Sequence, residues 1–351
     1  MNATTVAVDL AKTHFELAML EGSHKLRSQR LTRRRLEHFL ANLPPCRVVM
    51  EACGSAHHWA RTLQAQGHEV RLLPPQYVRA YVRRSKTDAA DAAALLEADR
   101  CPDMPSVPVK SVDQQALLQL HRLRQQYQRT RTARINQLRG CFREFGIDIP
   151  VGIERGIARV REELAIADNG LPQLLRPCIQ EVLQELSTLK ERIGQIEHTL
   201  GELTRQDPIV RELQSIPGVG VLSATALRAA VGNVQRFPSG RHFACWLGLT
   251  AREHSSGERR RLGSISKQGD VYLRTLLIHG ARSALLAAQR AAQAGRPLDR
   301  LRSWALQLRQ RCGWNKASVA LANKLARIIW ATWRHERAYD GNWALSHAPH
   351  A

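Results

Sequence analysis

The sequence predicts an α/β domain followed by an all-α remainder. Three observations predict it. Strand-like and helix-like patterns alternate over residues 1–105, and an arginine-rich helical stretch and a heptad repeat fill residues 106–205. A mostly helical region punctuated by Gly and Ser then occupies residues 206–340, ahead of a flexible tail at 341–351. At 351 residues the chain is long enough for two or three domains, each with its own core.

Taken in order, TTVAVDLA is a short β-rich run and KTHFELAML continues as an extended or mixed segment. RRRLEHFLANL has the spacing of an amphipathic helix. CRVVMEA is a buried strand ending at Glu51, SAHHWARTLQAQG a helix closed by Gly67, and HEVRLLPP a strand stopped by prolines. RSKTDAADAAALLEA, residues 84–98, then opens an alanine-rich helix. Farther on, Val182, Leu186, Leu189, Ile193, Ile196, Leu200 and Leu203 alternate spacings of four and three, which is a coiled-coil seam. The preceding arginine-rich helix can pair with it as a hairpin, with Pro150 to Pro177 as an irregular turn. The seam then serves either as an internal core or as an interface between chains. IPGVG, residues 216–220, reads as a helix-hairpin-helix-like turn whose Gly218 and Gly220 admit a phosphate to backbone N–H groups, or as an ordinary turn. NKASVALANKLARIIWATWRH is a final amphipathic helix.

Charge narrows the partners. Lys and Arg number 52 against 31 Asp and Glu, a net +21, and a chain this basic is expected to meet polyanions. The N-terminal segment has no basic leader and carries Asp9 inside its apolar stretch, so a signal peptide is not expected. No apolar run reaches the ~18 residues of a membrane span. Seven scattered cysteines without a CxxC pair argue against a zinc site or a disulfide framework, and a cytoplasmic location is expected. Zinc-finger, basic-zipper and aromatic RNA-binding motifs are lacking. The basic clusters, Arg83, Arg84 and Lys86 among them, therefore suit contact with a phosphate backbone.

Against that positive background the carboxylates stand out. Asp88 and Asp91 are three apart and share a helix face. Asp9 and Glu51 end two strands, where open α/β sheets place ligands. Four carboxylates suffice to hold two Mg²⁺ ions ~3.5–4 Å apart, an arrangement that clamps the attacking and leaving oxygens of a phosphodiester. Ser85-Lys86-Thr87-Asp88 also fits a capping box, in which Asp88 only caps a helix and Asp91 is a first-turn acid favoured by the helix dipole. In AREHSSGERRRLGSISKQG, small hydroxyls and glycines make an accessible loop ringed by Arg259, Arg260, Arg261 and Lys267, with Arg274 just beyond. Such a loop binds phosphate passively or offers a serine nucleophile, and spacing does not choose among Ser255, Ser256, Ser264 and Ser266.

VAVDLAK, VVMEACGS and KTDAADAAAL resemble the DEDD set of insertion-sequence transposases with a RuvC-like, RNase H-fold N-terminal domain. IPGVG, FACWLGLTAREHSSG and GSISKQGDVYLR resemble the C-terminal domain of the same family, in the same order. The resemblance implies that Asp9, Glu51, Asp88 and Asp91 are the DEDD acids, with Mg²⁺ as cofactor. It implies that Ser256 is a nucleophile forming a phosphoserine link to DNA, although Ala251 and His254 stand where proline and tyrosine are common. It further implies guidance by a structured noncoding bridge RNA that pairs with donor and target DNA, and dimers that assemble into a tetramer with active sites shared between protomers. A RuvC-like junction endonuclease that uses the acids without a serine is the alternative.

Overall fold

The computed structural model describes residues 5–21, 25–82, 87–257 and 259–341. Its chain divides into two units, Met1–Val112 and Asp113–Ala351.

The first unit runs β1 (Thr5–Asp9), β2 (His14–Glu21), β3 (Lys25–Thr32), α1 (Arg33–Ala41), β4 (Arg47–Glu51), α2 (Ala56–Ala65), β5 (Glu69–Leu73), α3 (Pro75–Val78) and α4 (Asp88–Asp99). The strands form one sheet in the order β3-β2-β1-β4-β5. β1, β2 and β3 are antiparallel neighbours, whereas β4 lies parallel to both β1 and β5. β3 was not foreseen. It is an edge strand with one buried apolar residue, Leu31, and its Arg27 and Arg30 are the kind of charge that keeps an edge from pairing with another chain.

Period two in the strands decides what each face carries. Val6, Val8, Leu17, Val48 and Met50 pack against Leu36 and Leu40 of α1 and Trp59 and Leu63 of α2. Ala7, Ala18, Val49 and Leu73 form the other face and receive Ala92, Leu95 and Leu96 of α4. Two alanines at the sheet centre let this alanine-rich helix approach closely, which explains a composition that looked merely helix-forming. Asp99 anchors the far end of α4. It is buried, accepts from the Arg71 guanidinium and lies 3.7 Å from Arg47.

The second unit continues with α5 (Val112–Arg143), α6 (Ile153–Ala165), α7 (Arg176–Gln206), α8 (Pro208–Gln214), α9 (Val221–Val231), α10 (Gly240–Trp246), β6 (Ala251–Glu253), β7 (Leu262–Ile265), α11 (Val271–Gln293) and α12 (Arg300–His335). α5 and α7 pair antiparallel. Arg134 Nε donates to Glu185 at 2.7 Å and Arg124 Nε to Glu197 at 2.7 Å. The turn between them is not irregular throughout, because α6 occupies 13 of its residues and packs Val160 into the hairpin.

The buried stripe of α7 departs from the expected seam. Ile179, Leu183, Leu186, Leu189, Ile193, Leu200 and Thr204 are buried, Val182 and Ile196 are half-buried, and Leu203 is exposed. Ile179, Leu183 and Leu186 meet Ile135, Leu138 and Phe142 of α5, so this half of the seam is an internal core. Several arginines of α5 are likewise structural. Arg124 is buried against Glu197, and Arg139 donates to the carbonyls of Pro150 and Gly152.

His121 of α5 joins three helices. Thr225 Oγ1 donates to the Val221 carbonyl at 2.7 Å, so it accepts from His121 Nε2–H at 3.0 Å, and Nδ1 accepts from the Tyr272 hydroxyl at 3.0 Å. Burial, then Arg124, pushes the imidazole pKa down to about 4 from 6.5. The unfolded chain therefore binds the extra proton first. Stability should fall by about 3 kcal/mol as pH drops from 6.5 to 4. Thermal melts across that window should show the loss, and His121→Asn should flatten it.

Candidate active site

Strand parity brings the acids together. Asp9 ends β1 and Glu51 ends the adjacent parallel β4, both on the face that α4 covers. α4 presents its N-terminus there. Thr87 caps it by accepting from the Ala90 N–H at 3.2 Å, whereas Ser85, which leads the expected capping box, lies outside the described residues. Asp88 and Asp91 thus occupy the first turn, where the helix dipole favours negative charge.

Asp9, Glu51 and Asp91 line a cavity of about 510 Å³, with Arg79 at its rim. Asp88 is not part of the lining but acts on Asp9 electrostatically. Burial, then Asp91, Asp88, Glu51 and Glu16, pushes the Asp9 carboxyl up to about 6. Glu16 was missed in the sequence. It lies opposite Asp9 on β2 and accepts from the Ser28 hydroxyl at 2.6 Å. Its signal is parity, because Glu16 shares the Ala18 face once the β1–β2 register is known.

The donor set fits a hard divalent cation. Every ligand it offers is a carboxylate oxygen, and the charge that raises Asp9 is the charge a cation offsets. The carboxylates surround the cavity without converging on one point: among the described residues, no three His, Cys, Asp or Glu side chains stand close enough to enclose an ion.

In the second unit, β6 and β7 form a two-stranded antiparallel hairpin. The His254 N–H donates to the Arg261 carbonyl at 2.8 Å, and Ser256 bridges Arg259 across a two-residue turn. Gly257 takes the first turn position with φ +56°, which suits the twist of tight hairpins. The Ser255 hydroxyl is committed. It donates to Glu253 at 2.8 Å and accepts from the Arg261 N–H at 3.1 Å. Glu253 also lies 3.3 Å from Arg260, and the Ser255 hydroxyl, then Arg260, holds its carboxyl below the ordinary value. Ser256 is exposed at the tip, and its hydroxyl has no protein partner among the described residues. Ser264 lies along a groove at the hairpin base, and Ser266 Oγ accepts from the Gln268 N–H.

Arg259, Arg261 and Lys267 are exposed around this hairpin, and Lys267 has φ +56°. Two expected nucleic-acid contacts are used otherwise. Arg274 is buried and donates to the Leu247 carbonyl at 3.2 Å, which removes it from any surface. Gly218, with φ +87°, abuts Gly280 of α11, where an added Cβ would come within 2.5 Å of the Gly280 oxygen. Its missing side chain permits a backbone crossing, and only Gly220 of that turn is exposed. Arg83, Arg84 and Lys86 lie outside the described residues. No described helix is long and apolar enough to cross a membrane.

Two stretches of the chain match known transposase families. Residues 6–147 match the DEDD transposase domain of IS110-type elements, and residues 210–295 match the family described as Transposase IS116/IS110/IS902. A relative named "Probable family 20 transposase" in Pseudomonas aeruginosa is 42% identical over 344 residues, covering 97% of this chain and 99% of that one. The chain belongs to the IS110/IS116 family of insertion-sequence transposases. The transposase for insertion sequence element IS1111A of Coxiella burnetii is 37% identical to it, over 95% of this chain and 90% of that one. The pilin gene-inverting protein of Moraxella bovis is 23% identical over 97% and 98%. As an IS110-family transposase the protein is a DNA-cleaving enzyme, and transposase domains of the DEDD class generally use divalent metals such as Mg²⁺.

Proposed function

We propose that this IS110-family transposase exchanges DNA strands through a phosphoserine intermediate, with Mg²⁺ held by Asp9, Glu51, Asp88 and Asp91 and Ser256 as nucleophile. The observation that carries the reading is the placement of Asp9, Glu51 and Asp91 around one cavity, with Asp88 acting on Asp9. The strand order 3-2-1-4-5 supports a ribonuclease-H-like, RuvC-like sheet.

Bound there, Mg²⁺ supplies Lewis-acid polarisation of the scissile phosphate. The acids hold the charge that positions it, and Arg79 at the rim contributes a guanidinium suited to phosphate. Ser256 Oγ forms a bond to phosphorus while the bond to O3′ breaks. The serine loses its proton and the leaving oxygen gains one, giving a phosphoserine and a free 3′-OH. The reverse displacement by another 3′-OH rejoins the strands. Arg259 and Arg261 flank the tip and offset charge on the phosphate. The acids and the serine belong to different units, and we take the serine to come from a partner protomer within a DNA-bound tetramer built of dimers. Donor and target are selected by a noncoding bridge RNA, consistent with a basic chain whose arginines lack base-reading motifs.

A second reading, metal-dependent hydrolysis of DNA junctions, is favoured by the acids all lying in the first unit. Against it stands a relative named for inverting a pilin gene, because inversion requires rejoining. One experiment separates the two. The wild-type protein, purified with its nucleic acid and incubated with Mg²⁺ and donor DNA, should give a covalent protein–DNA adduct on denaturing gels. Ser256→Ala should abolish it while Ser255→Ala retains it. Cleavage without any adduct would establish hydrolysis.

A further inference from the structure

A groove at the base of the β6–β7 hairpin is unaccounted for by the cleavage chemistry. Its volume is about 920 Å³, within the range of built ligand sites. One wall is the hairpin, through Ala251, Ser264 and Ile265, and the other is a single face of α12. α12 breaks at Gly313, where φ is +79° and ψ is 172°, and Trp304 lies before that break. The break lets Trp304 line the same groove as residues of the second half of the helix.

The chemistry of the lining is specific. Trp304 is 37% exposed, so part of its indole is open to a ligand. Lys316, Lys324 and Arg327 line the groove and are exposed, no carboxylate lines it, and none of the three has an ion-pair partner among the described residues. Lys324 Nζ lies 5.8 Å from the Trp304 ring centroid. Leu249 and Val319 make an apolar floor. A flat aromatic face, an apolar floor and three free cations complement a ligand with planar apolar rings and regularly spaced negative charge.

We propose that this groove holds single-stranded DNA, with a base stacked on Trp304 and its phosphates on Lys316, Lys324 and Arg327. DNA is the strand chosen because the hairpin arm that includes β7 connects the groove to the turn that carries Ser256. Ile265 lies six positions after Arg259, ~20 Å of extended chain, so a strand attacked at Ser256 has nearby nucleotides over the groove. The choice of DNA rests on the serine reading above, whereas the groove itself does not.

The test uses the full-length protein and a 12-nucleotide oligo(dT) carrying one 5-iodouracil. Photo-crosslinking followed by peptide mass spectrometry should place the adduct on Trp304. Trp304→Ala should weaken oligo(dT) binding about tenfold or more, in line with the loss of one stacked base, with an unchanged melting temperature and unchanged binding of a duplex. Lys324→Gln should weaken it less and flatten its salt dependence. Crosslinks outside the groove with affinities unchanged in both variants would overturn the proposal, and so would tighter binding of oligo(U) than of oligo(dT). Ser256→Ala should bind oligo(dT) like the wild type. Trp304-dependent binding without any phosphoserine adduct would remove the serine reading and leave the groove standing.

Discussion

Asp9→Asn should lower DNA strand cleavage by about a thousandfold, roughly 4 kcal/mol of barrier, while making the protein more stable at neutral pH. The two effects share one cause. Asp9 is half-buried and faces Asp91, Asp88, Glu51 and Glu16, which together with burial push its carboxyl up to about 6. A folded pKa above the unfolded value favours folding below pH 3.8, and that contribution is lost as pH rises through 6. At pH 7 the ionised Asp9 therefore opposes folding, and its amide replacement does not. Allowing for solvent screening at a partly exposed group, the gain is about 1–2 kcal/mol, visible as a higher melting temperature without Mg²⁺. A residue with only a structural role would lose stability on substitution. Unimpaired cleavage, or a lower melting temperature, would remove Asp9 from the metal site.

Gly248→Ala should cost more than about 4 kcal/mol and leave the second unit largely unfolded at 37 °C. Gly248 has φ +71°, and a Cβ there would lie 1.9 Å from the Gln268 carbonyl oxygen. That neighbour is backbone and cannot swing aside. It is held by bonds from the two residues before it, with the Lys267 N–H donating to the Gly248 carbonyl at 3.1 Å and the Ser266 N–H to the Thr250 carbonyl at 2.8 Å. Gly269 crosses in return, with φ +104° and a built Cβ 2.1 Å from the Trp246 oxygen. Gly257→Ala is the internal comparison. It has φ +56° but open space, so only the conformational cost of about 1–2 kcal/mol applies. Urea melts followed by circular dichroism would rank the two, and a Gly248→Ala midpoint near that of Gly257→Ala would contradict the crossing.

The crossing gives a physical account of two sequence blocks. FACWLGLTAREHSSG and GSISKQGDVYLR meet where Gly248 and Gly269 pack backbone to backbone. Neither block announces the other in sequence, because each glycine is answered by a carbonyl some 20 residues away. The first unit was more legible. Its alternating strands and the Asp88/Asp91 spacing are local patterns, and parity alone aligns Asp9 with Glu51. β3 was not legible because an edge strand with one buried side chain leaves no hydrophobic period. α6 was missed because the prolines beside it read as turn. Arg274 and Gly218 looked like nucleic-acid contacts because composition cannot distinguish an arginine that caps a buried carbonyl, or a glycine that admits a helix, from one that meets phosphate. Ser256 was singled out by family resemblance. The structure adds that the Ser255 hydroxyl is occupied and that the Ser256 hydroxyl has no partner among the described residues.

The exposed hairpin has a consequence for populations of these elements. Its residues from Ala251 to Gly257 bury almost nothing, and the hydrophobic core of the second unit lies elsewhere. A change at the tip therefore leaves the core of the second unit intact. In the assembly proposed above, copies that lose Ser256 would persist as folded, basic proteins that occupy the same DNA and join active protomers. With Ser256 as the nucleophile, lesions at the tip yield inhibitors rather than absences, and an element that accumulates such damaged copies restrains its own spread.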